Sequence, residues 1–106
     1  MDHSFFVKSF ILPLFAEGKD LEVRVNTRYA RLVTVGDVLV FNNLIRRKVC
    51  AIRRYPNFSS MLQVENYKRF YPKATNNGQL LCSLQGIYNK FQEAQGVIVF
   101  ELVQVE

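Results

Sequence analysis

The chain has 106 residues, of which 49% are hydrophobic and 22% charged, and its formal net charge is +5. This length and apolar content suffice for one hydrophobic core, so we predict a single domain over residues 1–106. With only 5 glycines and 3 prolines, the composition excludes fibrous and disordered classes. The apolar run 5–15 is interrupted by Lys8 and is shorter than a membrane span. We therefore assign it to the core and expect a cytoplasmic protein with no membrane segment.

The first half of the chain predicts two strands and one helix. Residues 4–8 form a possible first strand, and residues 10–17 have the pattern of a short helix with Phe10 and Leu14 on its buried side. Residues 21–25 alternate between apolar and charged side chains, which is typical of a half-buried strand. Residues 26–32 are a loop or a single helical turn.

The second half predicts a hairpin, two helices and a final strand. Residues 38–41 are apolar on both faces, Asn42-Asn43 is a tight-turn signal, and residues 45–55 form the return strand. A helix begins near Ser59, a clear amphipathic helix covers 79–91, and a strand covers 97–105. This order predicts an α+β fold, specifically a small mixed β-barrel flanked by short helices.

The cysteine and histidine content argues against a metal centre. There are two cysteines, Cys50 and Cys82, and one histidine, His3, and no Cys-x-x-Cys pair is present. A zinc site has too few ligands here, and we expect neither a metal nor a cofactor. Because both cysteines lie in apolar surroundings, we predict two buried, reduced thiols, with a disulfide as the alternative.

The positive charge is concentrated in the middle of the chain. Residues 24–73 contain eleven basic and two acidic residues, a net charge of +9, while the segments before and after carry −2 each. This uneven distribution indicates a positive face, which would attract polyanions. Eight of the eleven are arginines, which favours planar recognition of phosphates or base edges. The alternative is a basic surface that serves only solubility.

Several segments together are similar to one known family. The segment 17–24, Glu-Gly-Lys-Asp-Leu-Glu-Val-Arg, resembles the Gly-x-Lys-x-x-Glu-x-Arg signature of the ASCH (activating signal cointegrator homology) domain, a relative of the PUA fold. Segment 35–41 resembles that family's Gly-Asp strand, and 54–65 resembles its Tyr-x-x-Phe-x-x-Leu segment. Residues 87–88 and 96–98 resemble its closing elements. The resemblance covers residues 10–105, with one departure: the signature glycine falls at position 18 instead of 17.

The resemblance implies a PUA-like barrel with a cleft that holds Lys19, Glu22 and Arg24, and a function in binding RNA. On a strand, Glu22 and Arg24 point the same way, roughly 7 Å apart. We expect Lys19 and Arg24 to contact phosphate or a base edge, and Glu22 to accept a hydrogen bond or to fix Arg24. Further contacts with the nucleic acid are predicted for Arg46, Lys48, Arg53, Arg54 and Tyr55, and Phe58 or Tyr88 could stack on an unpaired base.

Simpler interpretations of these residues remain open. Glu22 and Arg24 form an ordinary solvent-facing ion pair if the strand face is convex, and such pairs contribute little stability. For the aromatic residues, among them Phe58, Tyr55 and Tyr88, core packing is the more common explanation. A protein-interaction domain without a nucleotide is a further alternative, although no exposed apolar motif specifies it.

An enzyme is the second functional hypothesis. One bacterial branch of the family hydrolyses the amide of N4-acetylcytidine, with a Lys-x-x-Thr pair and a separate glutamate. Here the position three after Lys19 is Glu22, and the hydroxyls at Thr27, Tyr29 and Thr34 do not have the required spacing. If the chain is an amidohydrolase acting on a modified nucleoside, Lys19 and Glu22 are the predicted catalytic residues, with Glu22 as a base towards water.

Overall fold

The computed structural model describes residues 1–106 as one mixed sheet with short helices. A mixed, mostly antiparallel sheet with helices grouped between its last two strands confirms the α+β class. A 3-10 helix, Ser9–Phe15, follows the first strand. The strands are β1 (Asp2–Phe5), β2 (Leu21–Val25), β3 (Val38–Phe41), β4 (Ile45–Tyr55) and β5 (Val97–Gln104). The helices are α1 (Arg28–Arg31), α2 (Phe58–Val64), α3 (Tyr67–Phe70), α4 (Asn77–Ile87) and α5 (Lys90–Glu93).

The five strands pair in the order β1-β3-β4-β5-β2. β1 runs parallel to β3, and the other neighbours are antiparallel. β1 and β2 are therefore the two edges, and no backbone ladder joins them, so the sheet does not close into the barrel that the element order predicts. The physical reason lies in the connection between the edges, which is a 3-10 helix. Its Phe15 packs against Phe41 in the core, so this connection contributes buried side chains and no further strand.

β2 and the first half of β5 are buried on both faces of the sheet, whereas β1 and β4 have exposed residues on one face. Leu21, Val23 and Val25 of β2 face one way and pack against helices α2, α3 and α4. The opposite face of the sheet packs against the 3-10 helix and the turn around α1. β5 lies between two neighbouring strands, and four consecutive residues, Val97 to Phe100, are buried. A central strand with a core on each side needs this continuous apolar run.

Two turns have backbone conformations that their residues explain. Asn42 and Asn43, with φ of 52° and 59°, form the turn of the β3–β4 hairpin. Asparagine tolerates this left-handed region better than most residues, as the tight-turn signal predicted. Gly18 has φ of 109° after the 3-10 helix, a conformation that other residues rarely adopt. The glycine is therefore required at position 18, where this chain departs from the family signature.

The structure corrects several local predictions. The first strand covers 2–5 instead of 4–8, and Phe10 is 60% exposed while Leu14 is buried. The helix predicted over 79–91 ends at Ile87, because Asn89 forms a capping box that starts α5. Cys50 and Cys82 are both free and exposed instead of buried. Cys50 lies at a β-bulge between Val49 and Ala51, where the alternation of the strand is interrupted.

Neither a membrane helix nor a metal-binding cluster is found in the structure. None of the helices combines the length and the apolar character that crossing a bilayer requires. No three histidine, cysteine or acidic side chains lie close enough together to bind a metal ion.

Candidate functional site

Three charged side chains form a cluster at the start of β2. Glu22 lies between two cations: its Oε1 is 3.0 Å from Lys19 Nζ, and its Oε2 is 2.7 Å from Arg24 Nη2. The Lys19 and Glu22 side chains are only 4% and 8% exposed, and that of Arg24 is 24% exposed. The structure therefore brings together the three residues predicted from the signature, and it places them in a cleft.

Local structure explains why the three side chains converge. The left-handed turn at Gly18 lets the backbone N–H of Lys19 donate to the carbonyl of Leu14, which turns Lys19 inward. Glu22 and Arg24 then follow the strand alternation, and their register partners on β5 are the buried Phe100 and Ile98. Both charged side chains thus lie on the face of the sheet that packs against the 3-10 helix, opposite to Leu21, Val23 and Val25.

The hydrogens of the Lys19 ammonium are all directed at protein oxygens. Its Nζ donates to the backbone carbonyls of Leu21, at 2.7 Å, and Phe70, at 2.9 Å, and also contacts Glu22. An ammonium has three hydrogens, so these three acceptors account for all of them. Lys19 therefore links β2 to the end of α3 and fixes Glu22, while its charge still acts on the cleft.

The two neighbouring cations keep Glu22 ionised. Burial by itself would raise the pKa of the Glu22 carboxyl, but the charges of Lys19 and Arg24, with their hydrogen bonds, lower this pKa below its ordinary value. The cluster therefore contains two positive charges and one negative charge, which gives it a net charge of +1.

Arg24 is the member of the cluster that has donors left. Its Nε and Nη2 both donate to Glu22 Oε2, and Nη2 also donates to the backbone carbonyl of Phe6 at 3.1 Å. The guanidinium lies 4.6 Å from the centroid of the Phe5 ring. These contacts fix the orientation of the group, and Nη1 donates no hydrogen bond within the protein. Two N–H groups of Arg24 are therefore free for a ligand.

A cleft of about 570 Å³ opens over the cluster. One wall is formed by the segment after β1 and the 3-10 helix, and the other by α4 and the end of α3. This volume is within the range of small-molecule sites, whose walls are mostly apolar with a few polar groups. The aromatic lining residues are Phe6, Phe10, Phe70, Tyr71 and Tyr88, and the polar ones other than the cluster are Lys8, Gln79 and Ser83.

The other predicted contact residues do not line this cleft. Arg46 pairs with Asp2 on β1, at 2.9 Å. Arg53 pairs with Glu101 at 2.8 Å and, by two hydrogen bonds, with Glu65. The guanidinium of Arg53 thus binds two carboxylates within the protein.

The remaining predicted residues lie elsewhere on β4. The hydroxyl of Tyr55 donates to Glu65 Oε2 at 2.6 Å. Burial raises the pKa of Tyr55, and its bond to the glutamate raises it further. Lys48 and Arg54 are exposed and make no ion pair within the protein.

Sequence reasoning missed most of the cleft walls. Phe6 and Phe10 are 67% and 60% exposed, although their apolar segment predicted core positions. Ser83 lies one helical turn from both Gln79 and Ile87, and that i, i+4 spacing within α4 was the available signal for it. Tyr88, a predicted stacking residue, lines the cleft, and burial raises the pKa of its hydroxyl.

Comparisons with known proteins establish the fold alone. No protein-family model matches the chain, and no curated protein matches it either. Among solved structures, it is similar to the crystal structure of hypothetical protein PH0355, with a TM-score of 0.92 and 23% identity over 99% of this chain and 100% of that chain. It is also similar to the solution NMR structure of protein PF0455 from Pyrococcus furiosus, with a TM-score of 0.83 and 25% identity over 100% of this chain and 99% of that chain.

Proposed function

We propose that this chain is an ASCH-type domain of the PUA-like superfamily that binds an unpaired nucleotide of RNA in the cleft above Lys19, Glu22 and Arg24. The observation that carries the proposal is the buried ion cluster beneath aromatic walls. Burying three charges costs desolvation free energy, and well-packed apolar side chains would often stabilise a core as well or better. A charged cluster retained at the floor of a cleft is therefore a candidate for function.

The chemistry of the cleft fits a nucleotide. The two free N–H groups of Arg24 can donate to a base edge or to phosphate. Aromatic rings on the walls, such as Phe10 and Tyr88, offer faces on which an unpaired base can stack. Lys19 and Glu22 hold the guanidinium in place, so binding does not have to order it.

The charge around the mouth supports an anionic ligand. Lys8 lines the cleft and is exposed. Lys73 lies between Tyr71 and Ala74, which both line the cleft, and it is also exposed. Cations at the rim attract a phosphate backbone and make its binding dependent on salt.

A binding titration tests this proposal. Fluorescence anisotropy of a short labelled single-stranded RNA should show saturable binding, with an affinity that falls steeply as salt rises. Arg24→Gln should weaken binding about tenfold or more, since the free donors are lost. Arg28→Gln, at an exposed arginine of α1 outside the cleft, is the matched control. No binding, or equal losses in the two variants, would contradict the proposal.

A second candidate function is hydrolysis of a modified nucleoside such as N4-acetylcytidine. The observation that favours it is the Ser83 hydroxyl, which lines the same cleft as the Glu22 carboxylate. Lys19 would act only through its charge, because its hydrogens are directed at protein oxygens. In this reaction Glu22 accepts a proton from water as the water oxygen adds to the acetyl carbon. N4 then receives that proton as the C–N bond breaks, and acetic acid and cytidine leave.

Chromatography of N4-acetylcytidine incubated with the protein tests this alternative. Release of cytidine that is lost in Ser83→Ala and in Glu22→Gln would support hydrolysis. Absence of cytidine at high protein concentration would eliminate this substrate and leave the binding function.

A further inference from the structure

A second hollow lies directly beside the cleft. It has a volume of about 350 Å³ and lies between the end of β1, the turn before α1, and α5. Its lining includes side chains with hydrogen-bonding groups, namely Ser4, Thr27, Tyr29 and Gln92. None of these four lines the larger cleft. The two hollows therefore offer different chemistry to a ligand.

Three residues border both hollows: Phe6, Arg24 and Tyr88. The hydrogen bond from Arg24 Nη2 to the carbonyl of Phe6 makes this boundary, and it also joins the two unpaired edges of the sheet. The guanidinium is thus the charged group that a ligand extending from one hollow to the other would meet. Its Nη1 has no acceptor in the protein, so this group can receive an anion.

The smaller hollow supplies donors that the fold does not use. Thr27 Oγ1 accepts a hydrogen bond from the N–H of Ala30, which leaves the hydroxyl hydrogen free. Gln92 Oε1 accepts from the N–H of Asn89, which leaves both hydrogens of its amide nitrogen free. Donors such as these match the oxygen acceptors of a sugar or a base.

We propose that the ligand occupies both hollows as two consecutive nucleotides, with one base in the larger cleft and the neighbouring nucleoside in the smaller hollow. The phosphodiester between them then lies at the boundary, against Nη1 of Arg24. This inference rests on the proposed function and specifies its ligand as an oligonucleotide instead of a free nucleoside. With the phosphodiester at this boundary, the single fixed guanidinium of Arg24 contacts a ligand that extends into both hollows.

Calorimetric titration with nucleotides of one and two units tests the inference. The probes are the mononucleotides pA, pC, pG and pU, and the two-nucleotide oligomers built from them. For the preferred sequence, the two-nucleotide oligomer should bind at least about tenfold more tightly than either mononucleotide. Equal affinities would overturn the inference while leaving nucleotide binding in the cleft intact. Absence of binding by every probe and by longer single-stranded RNA would overturn the proposed function as well.

Variants of residues in the smaller hollow test whether this hollow binds the second nucleotide. Ser4→Phe places a large side chain in this hollow from an exposed edge position. It should reduce the affinity of the two-nucleotide oligomer to that of the mononucleotide, without changing the affinity of the mononucleotide. Ser59→Phe, at an exposed position of α2 outside both hollows, is the control. Equal binding of the oligomer by Ser4→Phe and Ser59→Phe would contradict the inference.

A charge variant covers the case in which Ser4→Phe fails to fold. Gln92→Glu keeps an oxygen that accepts from the N–H of Asn89, so the cap of α5 is retained. The new carboxylate removes the amide donor and repels a phosphodiester, so the affinity of the oligomer should fall about tenfold or more. Gln95→Glu, exposed and outside both hollows, is its matched control. Equal losses in Gln92→Glu and Gln95→Glu would contradict the inference.

Discussion

Arg24 on β2 donates a hydrogen bond to the backbone carbonyl of Phe6, just after β1, and so connects the two edges of the sheet that no ladder joins. If β1 and β2 were paired, hydrogen bonds between their backbone N–H and C=O groups would occupy this position. The open seam instead contains a guanidinium that Glu22 orients. The site thus depends on the same gap that leaves the sheet open.

Replacement of Lys19 should cost stability. Lys19→Met removes the cation from buried Glu22 and leaves the carbonyls of Leu21 and Phe70 without their donor. We expect the free energy of unfolding to fall by about 3 kcal/mol, as urea denaturation followed by circular dichroism would measure. Lys73→Met, at an exposed lysine, should stay within about 0.5 kcal/mol of the wild type. If the two variants were equally stable, Lys19 would not anchor the cluster.

The exposed aromatic wall should contribute to binding and not to folding. Phe10→Ala removes a ring that is 60% exposed and lines the cleft. We expect the affinity for single-stranded RNA to fall by about 1–3 kcal/mol, because a stacking face is lost. The melting temperature should hardly change. Phe91→Ala removes a ring that is 84% exposed and lies outside the cleft, so its RNA affinity should equal that of the wild type. Equal losses in both variants would argue against a base on this wall.

Arg53 should stabilise the fold instead of contacting RNA. Arg53→Gln breaks its hydrogen bonds to Glu65 and Glu101, and Glu65 is buried. Bonds of this kind to a charged group are worth about 1.5–3 kcal/mol, and we expect a loss of that size in thermal or urea unfolding. RNA affinity at a temperature where both proteins are folded should not change. A large loss of affinity in Arg53→Gln with unchanged stability would reverse this assignment.

The environment of Asp37 should make the fold sensitive to acid. Asp37 accepts hydrogen bonds from the backbone of Thr34 and from His3, and these hold the pKa of its carboxyl well below the ordinary value. A carboxyl with a lower pKa in the folded state stabilises the fold above its unfolded pKa, and this stability is lost as pH falls towards the folded pKa. The melting temperature should therefore fall as pH decreases below about 4.

Asp37→Asn tests the source of that acid sensitivity. The variant should melt at a lower temperature at neutral pH and show a weaker dependence on pH below about 4. Asp2→Asn, at an exposed ion pair, should follow the wild-type profile. If the melting temperature of Asp37→Asn fell below about pH 4 as much as that of the wild type, other carboxyl groups would cause the acid sensitivity.

The first and last residues of a strand could be predicted where its sequence pattern was unambiguous. The strands at 21–25, 38–41 and 45–55 have the predicted limits, because alternation or an apolar run was bounded by a glycine or asparagine turn. The end of the helix predicted over 79–91 was wrong, because the capping box at Asn89 starts a new helix within one continuous apolar pattern. Local signals decided each of these outcomes.

Features that depend on distant contacts could not be predicted from the sequence. The parallel pairing of β1 with β3 joins segments that are far apart in the chain. The engagement of Lys19 with Phe70, 51 residues away, likewise has no local signature. The neutralisation of Arg53 follows from the cross-strand position of Glu101 and from the packing of α2. Spacing could place Glu22 and Arg24 on one face, and it could not show that this face is concave.

An NMR titration of the 15N-labelled protein with short single-stranded RNA would show whether RNA binds in the cleft above Lys19, Glu22 and Arg24. We expect RNA to shift the amide signals of residues 6–11, 19–24, 70–74 and 79–88, the segments that contain the lining residues, while those of residues 44–48 in the β3–β4 hairpin stay in place. Shifts confined to the β3–β4 hairpin, or no shifts at saturating RNA, would contradict binding in the cleft.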